Sequence, residues 1–342
     1  MGKQKTYWHL SRQRKMPGEY DIVTSKLLCY TGEGFTGKRF ELDVPLKHWY
    51  EQYQESSPLK CSSWENFRDP RETTYSRYTE LQMEKEIFVD GLLEEIENTN
   101  YDAQIPEHWL RILSRLVAPF RYAGHGLQMI ASYFGQMAPS GRLTITGALQ
   151  AADELRRVER LAYRVRQLQI AFPGFAEDSQ SRWEHDPVWQ PLREVVEKLL
   201  VTFDWGECFV ALNLTLKPML DELFMHHLSD LALREGDHLL GQIFYSLNED
   251  CQWHREWTRA LVGMAVQDTP TNQDVIQRWI DEWYGPSHRA IEAFAPVFEG
   301  NWDEAAVEPF PHVFQEIDRH FREYLQPMGL NVRTSLGKSV PA

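Results

Sequence analysis

Residues 64–82 read WENFRDPRETTYSRYTELQ, and this stretch separates an irregular leader from a helical body. Asp69 has the side chain of an N-cap, Pro70 suits a position that needs no backbone donor, and Glu72 completes a capping-box pattern, so a helix is expected to begin here. Leu81, Phe88, Leu92 and Ile96 follow at helical spacing, with Lys85 interrupting them. Tyr75 and Tyr78 open a second, half-polar face. A helix with two such faces is expected to touch two things at once.

Upstream, Pro17, Gly18, Gly32, Gly34, Gly37, Pro45 and Pro58 break residues 1–62 into short pieces, which reads as an extended N-terminal arm. Lys3, Lys5, Arg12, Arg14 and Lys15 stand with no acidic residue among them, and would be drawn to an acidic surface. The arm aromatics Tyr7, Trp8, Tyr20, Tyr30, Phe35, Phe40, Trp49, Tyr50 and Tyr53 argue against simple disorder, because disordered segments are poor in such residues. The arm is expected to lie on something.

Downstream, the opening helix should run to about Asn98, a second should start at Pro106, and Pro119 marks the start of a third. Between Ile145 and Ile170, Leu149, Ala152, Leu155, Val158, Leu161, Ala162 and Val165 form an apolar stripe. Arginines and carboxylates oppose it, most simply as a solvated face. Asp186-Pro187 repeats the start signal ahead of the apolar face Val188, Leu192, Val195, Val196, Leu199, Leu200 and Phe203. Asp204 and Glu207 form a second capping-box pattern, opening a helix that should bend near Pro218. Gly236 and Gly241 lead into a helix carrying Leu240, Phe244, Leu247, Cys251 and Leu261, and 273–298 and 305–324 supply two more. Convincing strand alternation and internal repeats are missing outside the arm. The expectation is an all-α chain with one large helical bundle over 63–329 and a disordered tail at 330–342.

At 342 residues and 42% hydrophobic the chain can bury a substantial core, so size does not limit it. Fifty acidic against 36 basic residues give a net charge of −14, which disfavours nucleic acid and anionic membrane as partners. Cys29, Cys61, Cys208 and Cys251 contain no C-x-x-C pair, so neither a zinc ribbon nor a dithiol motif is built locally. They read as reduced thiols of a cytoplasmic protein. The N-terminus has no apolar core of a signal peptide, and no run approaches a membrane span. Abundant Trp, Tyr and Phe in a chain of mean hydropathy −0.50 fit either a large helical core or an extensive subunit interface.

A bundle of this size raises carboxylate-bridged diiron chemistry, which needs an E-x-x-H pair from each of two helices and a Glu from each of two others. One E-x-x-H occurs, Glu235-Gly236-Asp237-His238, and it contains a glycine at an expected helix end. A capping or surface role suits it better than a metal site. His226 with His227, His254 on an apolar stripe, and Asp221 with Glu222 repeat no ligand spacing. Nucleophile elbows, P-loops and dinucleotide fingerprints are missing, and Cys208 and Cys251 fall in helical patterns where burial is the default. An autonomous diiron enzyme drawing on Glu207, Glu222, Glu235 and His238 is the alternative reading, and it lacks the repeated ligand pattern.

Residues 64–82, with VPLKHWYEQYQESSPLK at 44–60, RQRKMPGEYDIVTSKLLCY at 12–30, HDPVWQPLREVVEKLLVTFDWGECFVALNLTLKP at 185–218 and DVIQRWIDEWYGP at 274–286, resemble the β (small, non-catalytic) hydroxylase subunit of bacterial multicomponent diiron monooxygenases. Within these the chain is most similar to the toluene and alkene (isoprene-type) group, over roughly residues 5–330. The resemblance implies a ferritin-like (ribonucleotide reductase-like) helical bundle without iron ligands, catalytic residues or cofactors of its own. It implies a heterohexamer, (αβγ)2, with the diiron centre on the catalytic α subunit, a γ subunit, a second β subunit and the β arm laid over α. The whole enzyme would use O2 and NADH, an FAD and iron–sulfur reductase, a Rieske ferredoxin and an effector protein. Candidate subunit contacts are Tyr20, Tyr30, Trp49, Tyr50, Trp64, Phe67, Arg68, Tyr75 and Tyr78, because aromatics and arginine dominate desolvated interfaces.

Overall fold

A computed structural model describes residues 17–25, 44–97, 99–298 and 310–333, and no strand occurs among them. Two short helices, α1 (Glu19–Thr24) and α2 (Pro45–Tyr50), precede the body. The long helices are α3 (Tyr75–Glu97), α4 (Glu107–Met137) and α5 (Gly141–Ala171). After α6 (Ser179–His185) and α7 (Gln190–Leu200), α8 runs over 205–234, with π-helical winding at Val210–Leu216 and Glu222–His227. Then come α9 (His238–Asp268), α10 (Asn272–Glu292), α11 (Ala295–Phe298) and α12 (Phe310–Leu325). The core lies between two helix pairs, α4 with α5 and α8 with α9; α3 lies along α9, and α7 and α10 close the far side.

The start of α3 differs from the expected one. Asp69 does not cap it: one oxygen accepts from the Arg71 amide (3.1 Å) and the Trp253 indole (3.0 Å), and the other from the Thr73 amide (2.8 Å). That turn puts Glu72 at φ 48°, outside helical space, so the helix waits for Thr74, whose hydroxyl accepts from the Arg77 amide at 3.2 Å. The buried Asp69 is a tie between the leader and α9, not a helix start.

Pro119 likewise begins nothing; it sits inside the unbroken α4. A proline there leaves the carbonyl four residues back without its amide donor. The orphan is Arg115, and the buried Trp189 indole donates to its carbonyl at 2.8 Å. Asp186-Pro187 also forms a turn before α7, with the Asp186 carboxylate accepting from the Val188 amide at 3.2 Å. Asp204 does cap α8, accepting from the Gly206 and Glu207 amides at 2.9 and 3.0 Å. Glu207 does not reciprocate, because its carboxylate takes the Trp283 indole N–H at 3.0 Å. Pro218 is carried within α8 between the two π stretches.

Helices α4 and α5 cross so closely that a Cβ on Gly147 would lie 2.6 Å from the Gly135 Cα. Backbone faces backbone there, so nothing flexible can yield. Gly147→Ala is expected to cost about 1–3 kcal/mol despite alanine's better helix propensity, read as a lowered denaturation midpoint. An unchanged midpoint would show that the helices separate freely. At the other end, Leu330 is buried and Asn331 exchanges hydrogen bonds of 2.7 and 3.1 Å with Gln277; residues 334–342 lie outside the described residues.

A charge network inside the bundle and an apolar face outside it

Helix α5 is the spine of the network, and its charged face is not solvated as expected. Arg142, Asp153, Glu154, Arg156, Arg157 and Arg164 are all buried. An amphipathic pattern separates two faces but does not say which is wet, and here α1, α3, α8, α9 and the segment before α4 supply countercharges. Arg142 reaches Asp21 of α1 at 2.7 Å and the Glu65 and Phe67 carbonyls at 3.0 Å. Arg160 pairs with Glu86 and with Asp90 (2.6 Å) of α3. Arg164 meets Asp102 at 2.8 Å, beside Asp237, the N-cap of α9.

At the bundle centre two basic and two acidic side chains meet. Arg157 Nη1 lies 3.1 Å from both Glu154 and Asp221, and Lys217 Nζ lies 2.7 Å from Glu154 and 2.9 Å from Asp221. Two buried cations therefore face two buried carboxylates. Burial works against the charges of Lys217 and Arg157, but the surrounding anionic groups outweigh it and raise both. Burial opposes ionisation of Asp221 too, and Lys217, Arg157 and the nearby Arg255 still hold it below the usual carboxylate range. Arg157 Nη2 also points at Cys251 Sγ, 2.7 Å away. Burial pushes that thiol up to about 12, so it stays protonated.

A second ring joins the centre to α3. Asp153 accepts from the Tyr78 hydroxyl (2.7 Å) and the Gln82 amide (2.8 Å), with His254 Nε2 at 2.9 Å. Asp250 takes Lys85, Arg156 (2.8 Å) and Gln82 (3.0 Å). Burial raises Asp153 and lowers His254, which remains a neutral imidazole. Lys85 and Arg156 converge on Asp250, and Arg156 also reaches Glu86 of α3 at 2.6 Å. This pulls the polar face of α3 inward: Tyr78, Gln82 and Lys85 reach the network, and Val89 and Leu93 follow on the same side. The expected stripe divides: Leu92 and Ile96 pack half-buried against the core, whereas Leu81 (36%) and Phe88 (44%) are exposed, beside Met83 at 58% and Ile87 at 64%.

The candidate contact residues divide. Tyr20 is buried in this chain, its hydroxyl accepting the Asp69 amide at 3.1 Å beneath Arg68 and Arg142. Trp49 donates to Tyr133 (3.1 Å), Tyr50 donates to the Gln136 carbonyl (3.3 Å), and both are half-buried on α4. Trp64 stacks edge-on against Trp205, and Phe67 is fully buried beside Trp257. Arg68 is exposed and paired with Asp21 and Glu72. Tyr75 is 74% exposed, whereas Tyr78 is committed to Asp153. Tyr30 lies outside the described residues.

The residues of the alternative diiron reading are spent separately. Glu207 holds Trp283, Glu222 holds His226 and His320, Glu235 pairs with His108 at 2.6 Å, and His238 is exposed at the start of α9. Sequence reasoning missed Glu154, Arg157 and Lys217. Their signal was an i, i+3 pair on α5, Glu154-x-x-Arg157, matched by Cys251-x-x-His254 on α9.

A family model described as methane/phenol/alkene hydroxylase matches residues 49–269. The β subunit of the hydroxylase component of the toluene-4-monooxygenase system of Ectopseudomonas mendocina is 38% identical over 292 residues, 85% of this chain and 89% of the relative. Among solved structures, toluene 4-monooxygenase with toluene bound in its resting active site superposes with a TM-score of 0.80 at 38% identity, covering 86% of this chain and 97% of that one. Phenol hydroxylase from a Pseudomonas species gives 0.83 at 19% identity over 98% of both chains, a likeness of fold. The all-α bundle is thus the ferritin-like one.

Proposed function

The chain belongs to the methane/phenol/alkene hydroxylase family, and from that membership we propose that it is the non-catalytic β subunit of the hydroxylase of a multicomponent diiron monooxygenase acting on an aromatic or alkene hydrocarbon. The observation that carries the reading is the quartet at the bundle centre. Diiron bundles aim a Glu and a His, three residues apart, inward from each of two helices. Here the inward pairs are Glu154 with Arg157 and Cys251 with His254, and Lys217 supplies a second cation beside Arg157. These residues do not fit a pair of iron ions. The carboxylates are already neutralised, the thiol keeps its proton, and His254 is committed to Asp153. The diiron chemistry is therefore assigned to a partner α subunit, and no residue of this chain to catalysis or cofactor binding.

What this chain contributes is shape. The arginine spine fixes α3, α8 and α9 against α5, and α3 then presents Met83, Ile87 and Phe88 as a preformed apolar face. Exposed apolar surface of that kind marks an interaction site. We assign it to the assembly, read as (αβγ)2, with NADH, FAD and Rieske electron transfer and an effector protein belonging to the enzyme as a whole. The relatives' description as hydroxylase components supports that setting. No helix among the described residues is long and apolar enough to cross a membrane, and Cys61, Cys208 and Cys251 are free thiols, which supports placing the complex in the cytoplasm.

Co-expression with the larger hydroxylase subunit tests the reading. The two chains are expected to co-purify in fixed ratio and, once separated, to leave all stoichiometric iron with the larger one. Glu235→Ala with His238→Ala should leave iron content and hydrocarbon oxidation of the complex unchanged. Stoichiometric iron on this chain, or iron lost with that double substitution, overturns it.

A further inference from the structure

We propose that Glu222, His226 and His227 form a binding site for a divalent ion of the zinc type, independent of the assignment of the diiron centre to a partner subunit. Each residue offers one ligand atom, and the three atoms lie within 4.8 Å of one another. The local winding makes this possible. Glu222–His227 is π-helical, so each turn takes in an extra residue, and positions i+4 and i+5 both come round beside Glu222. In ordinary α-helix only the first of the two histidines would sit next to that carboxylate.

The hydrogen bonding is what a metal-free site of this kind would show. Glu222 Oε1 is contacted by His226 Nδ1 at 3.0 Å and by His320 Nδ1 of α12 at 2.8 Å. Both contacts place a proton where a cation could stand. His227 Nε2 is buried and has no hydrogen-bond partner among the described residues, an imidazole nitrogen left with its bonding capacity unused. His320 has Arg319 Nη2 at 2.9 Å from its Nε2, which leaves the proton on Nδ1 facing Glu222. It therefore steers the Glu222 carboxylate in the metal-free state and closes the site from α12.

Two imidazoles and one carboxylate form a donor set for zinc and its neighbours in the transition series. Magnesium and calcium prefer all-oxygen shells and are not expected to compete. The seat lies on the outer surface, with His226 exposed, so an ion can enter without unfolding the bundle.

The test uses the full-length, untagged chain in the complex in which it purifies. After chelation of loosely held metal, equilibrium dialysis against micromolar zinc should add one zinc per copy beyond the content of His226→Asn. Glu222→Gln, His226→Asn and His227→Gln should each weaken uptake by about tenfold or more, and a large excess of magnesium should not displace the ion. Cobalt in place of zinc should give visible absorption that is lost in His226→Asn. Because His226 is exposed, that variant should fold normally and carries the test if His227→Gln does not fold. Equal metal content in wild type and His226→Asn, or displacement by magnesium, overturns the proposal.

Discussion

Arg157→Met is expected to remove about 3–5 kcal/mol from the stability of the chain. The reason is not the strength of one ion pair. Arg157 and Lys217 together neutralise Glu154 and Asp221 in a fully buried site, so removing one cation leaves an uncompensated buried carboxylate. Lys217→Met should behave alike. Adding Glu154→Gln to Arg157→Met restores one cation against one carboxylate and should recover about half of the loss, a coupling that independent sites would not show. Urea denaturation of the four proteins measures it. A loss below about 1 kcal/mol for Arg157→Met would mean that water or a rearranged Lys217 already screens the centre.

The same quartet shows what the sequence could and could not disclose. Helices α4, α5, α7 and α9 were legible because their apolar residues recur at helical spacing, and the single E-x-x-H was the ground for expecting no diiron site with repeated ligands. The charged face of α5 was misread because periodicity is blind to partners. Arg156, Arg157 and Arg164 are buried only because Asp250, Asp221 and Asp102 arrive from elsewhere in the chain. Two helix starts were misplaced for a local reason. An Asp-Pro pair serves a turn as well as a helix, and the carboxylates of Asp69 and Asp186 were taken by turn amides first. Pro119 was read as a boundary because its effect on α4 is cancelled by Trp189, 70 residues away in sequence. The π-helical winding that gathers Glu222, His226 and His227 had no signal in residue spacing.

Met83→Asp combined with Ile87→Asp is expected to abolish assembly of the hydroxylase while leaving this chain folded. The inward face of α3 is held by Tyr78, Gln82 and Lys85 on Asp153 and Asp250, so the helix keeps its place whatever stands on its outer side. Met83 and Ile87 are 58% and 64% exposed and lie four residues apart on one stripe, with Phe88 beside them. Substituting these exposed positions should move the chain's own stability by no more than about 0.5 kcal/mol. In a desolvated interface, however, each new carboxylate would lose its water and displace apolar contact. Together they should weaken association at least hundredfold, about 2.8 kcal/mol or more. Analytical ultracentrifugation of the complex, alongside denaturation of the chain, separates the two effects. Unchanged assembly with both aspartates in place would show that α3 faces solvent in the complex, and the partner-binding surface would then have to be sought on α2 or on the exposed side of α5 instead.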